Sequence, residues 1–158
     1  MKDFNAYELI VNGVSHFIEV SKIRLCLIKY DELAINQVSI LIQYKNKNKN
    51  ITITDEDLTI EYASELVDEL FSYIKEKTKH NNFYKGKHYT HKDFNVPFII
   101  NVSKMLSISF YDNTGDKFIL NEDIERMVKM ENKKHSYTFY FSKQDYFNFY
   151  DFMIQKEK

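Results

Sequence analysis

The spacing of apolar residues changes from a period of two to a period of about 3.6 near residue 60. Before that point, alternating residues such as Tyr7, Leu9 and Val11 predict strands, and Asn12-Gly13 is a preferred two-residue hairpin turn. After it, the apolar side chains of a helix over about 60–79 fall within one arc of about 140°. These side chains are Ile60, Ala63, Leu66, Val67, Leu70, Phe71 and Ile74.

Both periods recur in the C-terminal half. Alternating residues predict further strands after residue 96, and a second amphipathic helix is predicted over about 142–155, opened by the capping-box spacing of Ser142 and Asp145. A short third helix is predicted over about 122–131, whereas residues 80–96 follow neither period and predict a long loop. The predicted fold class is therefore α+β, with mostly antiparallel sheets and the helices packed on them.

The length of 158 residues is that of one ordinary domain with a sizeable core. Segments 12–24 and 113–126 each contain a turn, a Phe-Ile pair and an isoleucine five residues later. We interpret the chain as a single α+β domain over 1–158. The alternative is a pair of related halves, 1–79 and 97–158, joined by the loop 80–96.

Amino-acid usage indicates an origin in an AT-rich genome, because lysines outnumber arginines by 20 to 2 while glycine and proline are scarce. A low-GC bacterium, or one of its phages or plasmids, fits this usage. The single cysteine, Cys26, suits a reducing compartment. Neither a signal peptide nor a membrane-spanning run is recognisable, so we expect a protein of the bacterial host cytoplasm with no membrane partner.

Several chemistries conflict with the sequence. The three glycines are far apart, whereas a phosphate-binding loop needs clustered glycines that let backbone amides approach the phosphate. Cys26 lies among leucines and isoleucines, which favours a small core side chain over a nucleophile. We therefore expect no cofactor and no catalytic residue.

The histidines leave an enzyme as a third hypothesis. His88 and His91, with Asp93, could offer three ligands to a metal, but they lack the helical register of established zinc motifs, so we expect no metal. His88-Tyr89-Thr90 also resembles one His-x-Thr unit of the two-histidine phosphoesterases. The second unit of that family is missing from this chain. An activity centred on His88 and His91 would be a phosphoesterase or a metal-dependent reaction.

Residues 55–73 carry seven carboxylates and no lysine or arginine. On a helical wheel the acidic side chains lie opposite the apolar arc, within about 100°, and two tyrosines lie at the seam. Such a face can dock on a basic protein surface, with tyrosines as anchors. The simpler alternative is a solvated face that aids solubility. The residues predicted to bind a partner are Glu61, Tyr62, Glu65, Asp68, Glu69 and Tyr73.

Residues 75–92 have the opposite character, with six lysines, three histidines and interleaved aromatic residues. Lysines can neutralise phosphates and aromatic rings can stack on unpaired bases, which predicts nucleic-acid binding as the alternative function. A solvated lysine-rich loop is the structural alternative. The residues predicted to bind nucleic acid are Lys85, Lys87, His88, Tyr89 and His91.

These features rank three functions. First comes a non-enzymatic protein-binding inhibitor or immunity-type protein of a phage or mobile element, which docks its acidic helix on a basic surface of a target protein. A surface that binds nucleic acid is one candidate for such a basic surface. Anti-defence proteins such as anti-CRISPR proteins are similar to it in size and composition, as a class only. A nucleic-acid-binding accessory protein comes second and the enzyme third.

Overall fold

The structure, a computed structural model, describes residues 6–31, 37–44, 50–77, 82–91, 94–105, 107–111, 124, 126–132 and 136–156, with only the backbone of His91. Over these residues the fold mixes α and β, with mostly antiparallel strands and two helices, as the sequence predicts. The chain divides into two compact units. Unit 1 comprises Met1–Lys85 and Pro97–Val102, and unit 2 comprises Gly86–Val96 and Ser103–Lys158.

Unit 1 contains a two-stranded hairpin, most of a larger sheet and helix α1. The hairpin pairs β1 (Ala6–Val11) with β2 (Val14–Glu19). Asn12 and Gly13 connect them with φ angles of 48° and 81°, and a type I′ turn requires positive φ at both positions. The predicted hairpin is therefore confirmed.

The larger sheet has the strand order β5-β4-β3-β7-β6. Its strands are β3 (Ile23–Asp31), β4 (Gln37–Tyr44), β5 (Asn50–Thr54), β6 (Phe83–His91) and β7 (Phe94–Asn101). The central strands β3, β4 and β7 carry continuous runs of buried apolar residues, which is typical of strands covered on both faces. The division between the units falls inside β6 and β7.

Helix α1 (Ile60–Lys77) begins where the sequence predicts. Its first turn is capped by Thr59, whose Oγ1 accepts a hydrogen bond of 3.0 Å from the backbone N–H of Tyr62. The buried side chains recur at helical spacing, so the helix turns one side to the core of unit 1. They are Ala63, Leu66, Val67, Leu70 and Ile74.

In unit 2, β8 (Ser107–Tyr111), β9 (Arg126–Glu131) and β10 (Ser136–Phe141) form a sheet of order β10-β9-β8, followed by α2 (Lys143–Lys156). Ser142 caps α2, because its Oγ accepts a 3.2 Å hydrogen bond from the backbone N–H of Asp145. Helix α2 buries Tyr146 and Phe149. The helical spacing of the apolar residues predicts that Phe147, Tyr150 and Ile154 also lie in the core, but these side chains are 38–39% exposed.

Two predicted elements are wrong. The predicted loop 80–96 contains the whole of β6 and the start of β7. The polar residues of this segment show no alternation of apolar and polar side chains, so the sequence gives no sign of a strand. The strand forms because it is hydrogen-bonded to a neighbouring strand of the sheet. The predicted third helix, 122–131, contains β9, which pairs with β8 on one side and β10 on the other. Those two ladders override a spacing that alone fits a helical turn. Residues 122, 123 and 125 lie outside the described residues.

The relation between the two predicted halves stays a prediction, because most of the segment 113–126 lies outside the described residues. The single-domain interpretation likewise stays a prediction. No helix among the described residues is long and apolar enough to span a membrane.

Candidate partner-binding surface

Helix α1 exposes its carboxylates on the side opposite its buried residues. Glu61, Glu65, Asp68 and Glu69 are all exposed, whereas every position that the helix buries is apolar. These four residues are called the acidic face below. Their arrangement follows directly from the sequence spacing, since residues three and four apart share one side of a helix.

The loop that precedes α1 extends this negative charge. It lines an open cavity of about 400 Å³, of which all the described lining is polar. The lining residues are Asn12, Gln37, Thr54, Asp55, Glu56 and Asp57. The Asp55 carboxylate accepts hydrogen bonds from Asn12 Nδ2 at 3.3 and 3.4 Å and from the Asp57 N–H at 2.8 Å, so it fixes the loop. The exposed side chains of Glu56 and Asp57 are not engaged in this way.

One member of the acidic face is paired within the molecule. Lys85 Nζ, on β6, lies 2.9 Å from Asp68 Oδ1 and donates a hydrogen bond to it. The same ammonium group lies 5.6 Å from the centroid of the Phe71 ring. This contact joins a residue predicted to bind protein to one predicted to bind nucleic acid, and it reduces the charge that each offers to an outside partner.

The two tyrosines at the seam of the helix hold it to β1. The Tyr62 hydroxyl donates a 3.2 Å hydrogen bond to the Ile10 carbonyl, and the Tyr73 ring lies 4.9 Å from the Tyr7 ring. Burial, followed by the negative charge of Glu69, raises the pKa of Tyr7. Tyr62 is still 36% exposed, so part of its ring is available to a partner.

The residues predicted to bind nucleic acid do not form one surface. Strand β6 places Lys85, Lys87 and Tyr89 on one side and His88 on the other, because alternate residues of a strand point to opposite faces. His88 is only 7% exposed, and its ring lies 4.9 Å from the Phe139 ring. Burial lowers the pKa of His88 to about 3, so the imidazole is neutral at pH 7.

The metal and nucleophile hypotheses gain no support. Among the described residues, no group of three histidine, cysteine or acidic side chains could hold a metal ion. Asp93 and the side chain of His91 lie outside those residues. Cys26 is 0% exposed, which confirms its assignment to the core, and burial raises the pKa of its thiol to about 12. The thiol is therefore protonated at neutral pH and unreactive.

One exposed feature is absent from the sequence interpretation. On the hairpin, Phe17 is 62% exposed and Ile10 is 48% exposed. Strand alternation could have predicted this exposure. Ile10 lies between buried Leu9 and Val11 and therefore points to the opposite face, and Phe17 likewise points away from the face of buried Ile18. Exposed apolar residues grouped on one face of a hairpin mark a surface that can bind a partner.

No known protein family matches this sequence, and no curated protein or solved structure is significantly similar to it. Function therefore has to be argued from the exposed carboxylates, the acid-lined cavity and the open hairpin themselves.

Proposed function

We propose that this chain is a non-enzymatic protein-binding module that docks the acidic face of α1 on a basic surface of a target protein. Its role is that of an inhibitor or immunity-type protein carried by a phage or mobile element, in the manner of anti-defence proteins such as anti-CRISPR proteins. It acts by occlusion, since a row of carboxylates covers a surface that would otherwise bind nucleic acid.

The observation that carries the proposal is the exposed row of carboxylates. Glu61 and Glu65 lie one helical turn apart, as do Glu65 and Glu69, and all three side chains are exposed. Like charges at this spacing destabilise a helix by a few tenths of a kcal/mol per pair. A basic partner surface would remove that repulsion, so the arrangement costs stability in the free protein and favours the bound state.

The acid-lined cavity provides a second point of contact. Its exposed Glu56 and Asp57 precede the N-terminus of α1, at the same end of the helix as Glu61. A lysine or arginine of the target that entered this cavity would meet two carboxylates at once. The proposed surface thus runs from the cavity along α1 to Glu69.

The alternatives are weaker for specific reasons. Nucleic-acid binding through β6 would have to use Lys87 and Tyr89, because Lys85 pairs with Asp68 and His88 is buried. A phosphoesterase or metal enzyme would have to begin from a His88 that is neutral and packed on Phe139. The protein-binding proposal needs no rearrangement of these groups.

The test is affinity capture of the tagged protein from a lysate of a low-GC bacterium, with and without nuclease. The matched variants are Glu61→Lys with Glu65→Lys, and a control of equal charge change, Glu131→Lys with Asp151→Lys, whose acidic residues are exposed in unit 2. We expect a protein that survives nuclease, is retained by the control and is lost with the α1 double variant.

Two results would contradict the proposal. If the captured protein is retained by the α1 double variant, the acidic face is a solvated surface. If capture vanishes with nuclease and on Lys87→Glu, the nucleic-acid alternative replaces it, and the affinity should then fall steeply with salt.

A further inference from the structure

The outward face of the β1–β2 hairpin carries two exposed apolar residues, Ile10 and Phe17. In the observed register Tyr7, Leu9 and Val11 face the same side as Ile18, and this side is the more buried. The opposite side carries Ile10 and Phe17 with three polar partners, Glu8, Ser15 and Glu19. Phe17, the most exposed large apolar side chain among the described residues, therefore lies on a face that none of those residues covers.

Among the described residues, no strand pairs with the outer edge of β2. A two-residue turn closes on a hydrogen-bonded pair, here Val11 and Val14, and the pairs then alternate along the ladder. The pairs Ile10–Ser15, Glu8–Phe17 and Ala6–Glu19 therefore direct their N–H and C=O groups away from the partner strand.

Two hydrogen bonds agree with this alternation. The Ile10 carbonyl accepts from the Tyr62 hydroxyl on the β1 edge, and the Glu19 N–H donates to Tyr44 Oη at 3.0 Å on the β2 edge. Between these points, no described residue satisfies the outward backbone groups of Ser15 and Phe17. Such a row of unpaired backbone groups is a template for another strand.

The side chains beside this edge specify the chemistry of such a strand. Glu8 lies directly opposite Phe17 in the register, and it forms no ion pair with any described residue. A lysine or arginine placed beside Phe17 would lay its aliphatic stem and its charge over the exposed ring and extend toward Glu8. The Phe17 ring with the Glu8 carboxylate beside it therefore favours a cationic side chain on the added strand over an acidic or purely apolar one.

We propose that the outer edge of β2 binds an extended, lysine- or arginine-bearing segment of the target protein as a third strand of the hairpin. The backbone groups of Ser15 and Phe17 supply the affinity, and Phe17 with Glu8 selects the cationic side chain. This inference rests on the proposed function only in taking the ligand to be part of a protein target.

The edge of the larger sheet in unit 1 shows by contrast why β2 is favoured. Strand β5 exposes only polar side chains, Asn50, Thr52 and Thr54, whereas its isoleucines Ile51 and Ile53 are half-buried and buried. Strand β2 instead combines unpaired backbone groups with an exposed aromatic ring.

The test is selection of a displayed library of random ten-residue peptides on the complete protein. We expect enriched peptides that carry a lysine or arginine between apolar residues. Their affinity should fall about tenfold or more with Ser15→Pro, which removes an outward N–H without touching the ladder, and with Phe17→Ser. Ser15→Ala, which keeps the N–H, and Phe147→Ser, which removes an exposed ring on α2, are the matched controls.

Phe17→Ser keeps the test decisive if Ser15→Pro disturbs folding, because Phe17 is exposed. The proposal is overturned if no peptide is enriched, or if Phe17→Ser leaves the affinity of the enriched peptides unchanged. It is also overturned if the wild-type protein forms a concentration-dependent dimer that Ser15→Pro abolishes, since a second copy then occupies the edge.

The double variant Glu61→Lys with Glu65→Lys separates this proposal from the proposed function. Peptides that still bind this variant while the captured target does not would support both sites. A target that is lost with Phe17→Ser but retained by Glu61→Lys with Glu65→Lys would reject the acidic face.

Discussion

Lys85 Nζ lies 2.9 Å from Asp68 Oδ1, so the pair joins strand β6 to helix α1 across the two surfaces of opposite charge. The acidic face thereby loses one of its four charges to an internal partner, and the lysine-rich strand loses the charge of Lys85. The charge left for an external partner lies at Glu61, Glu65 and Glu69. Charge reversal should therefore target Glu61 and Glu65, because a change at Asp68 would also break an internal contact.

The Asp68–Lys85 pair should contribute little to stability. Its side chains are 52% and 33% exposed, and ion pairs at such exposure contribute about 1 kcal/mol or less. We expect a double-mutant cycle with Asp68→Asn and Lys85→Met, measured by urea unfolding, to give a coupling energy within that limit that falls with added salt. A coupling of about 2 kcal/mol or more that persists in salt would show instead that the pair is shielded from solvent.

His88 should make stability depend on pH. Its pKa in the folded protein is about 3, below the value of 6.5 expected for an unfolded chain. The unfolded state therefore takes up a proton first as the pH falls. The contribution of the neutral, buried His88 to stability is fully present above about pH 6.5 and is lost as the pH falls below that value. We expect the free energy of unfolding to drop by roughly 2 kcal/mol between pH 7 and pH 5 from this residue alone.

The variant His88→Gln isolates that contribution, since it keeps a buried polar side chain but has no titrating ring. The measurement is urea unfolding of both proteins at pH 7 and pH 5. The variant should lose most of the pH dependence, whatever its stability at pH 7. An equal slope in the two proteins would mean that the imidazole reaches solvent and can be protonated in the folded state.

Gly13 should tolerate substitution poorly even though a side chain would fit. Its φ angle is 81°, and a Cβ atom built on it would meet nothing within 4 Å. The cost of Gly13→Ala is therefore backbone strain alone, about 1–2 kcal/mol. Gly13→Asn should cost less, since asparagine adopts positive φ more readily. Thermal unfolding of the two variants tests this order, and equal stabilities would contradict it.

Cys26 should be inert in the folded protein. It is fully buried on β3, and burial raises the pKa of its thiol to about 12. Because the thiolate is the reactive form, we expect no reaction with a thiol reagent at pH 8 in buffer and one reactive thiol per chain in denaturing urea. Rapid labelling without denaturant would indicate that β3 opens locally.

Local sequence patterns determined the elements that depend on neighbours along the chain. The Asn12-Gly13 turn, the Thr59 and Ser142 caps, helices α1 and α2 and strands β1 to β5 all follow from such signals. Turn geometry, capping and amphipathic spacing act within a few residues, which is why a single sequence reveals them. The exposed acidic face of α1 belongs to this group, since helical spacing alone separates its carboxylates from the buried side chains.

Tertiary structure decided what depends on distant residues. Strands β6 and β9 form because other strands pair with them, against a local pattern that indicates a loop and a helical turn. His88 is neutral because the fold buries it against Phe139, and Asp68 is paired because β6 brings Lys85 beside α1. Phe17 is exposed because no described residue covers the outward face of its hairpin. Burial and strand pairing depend on contacts between residues that are far apart in the chain. Composition and local spacing do not indicate which of these distant residues come into contact.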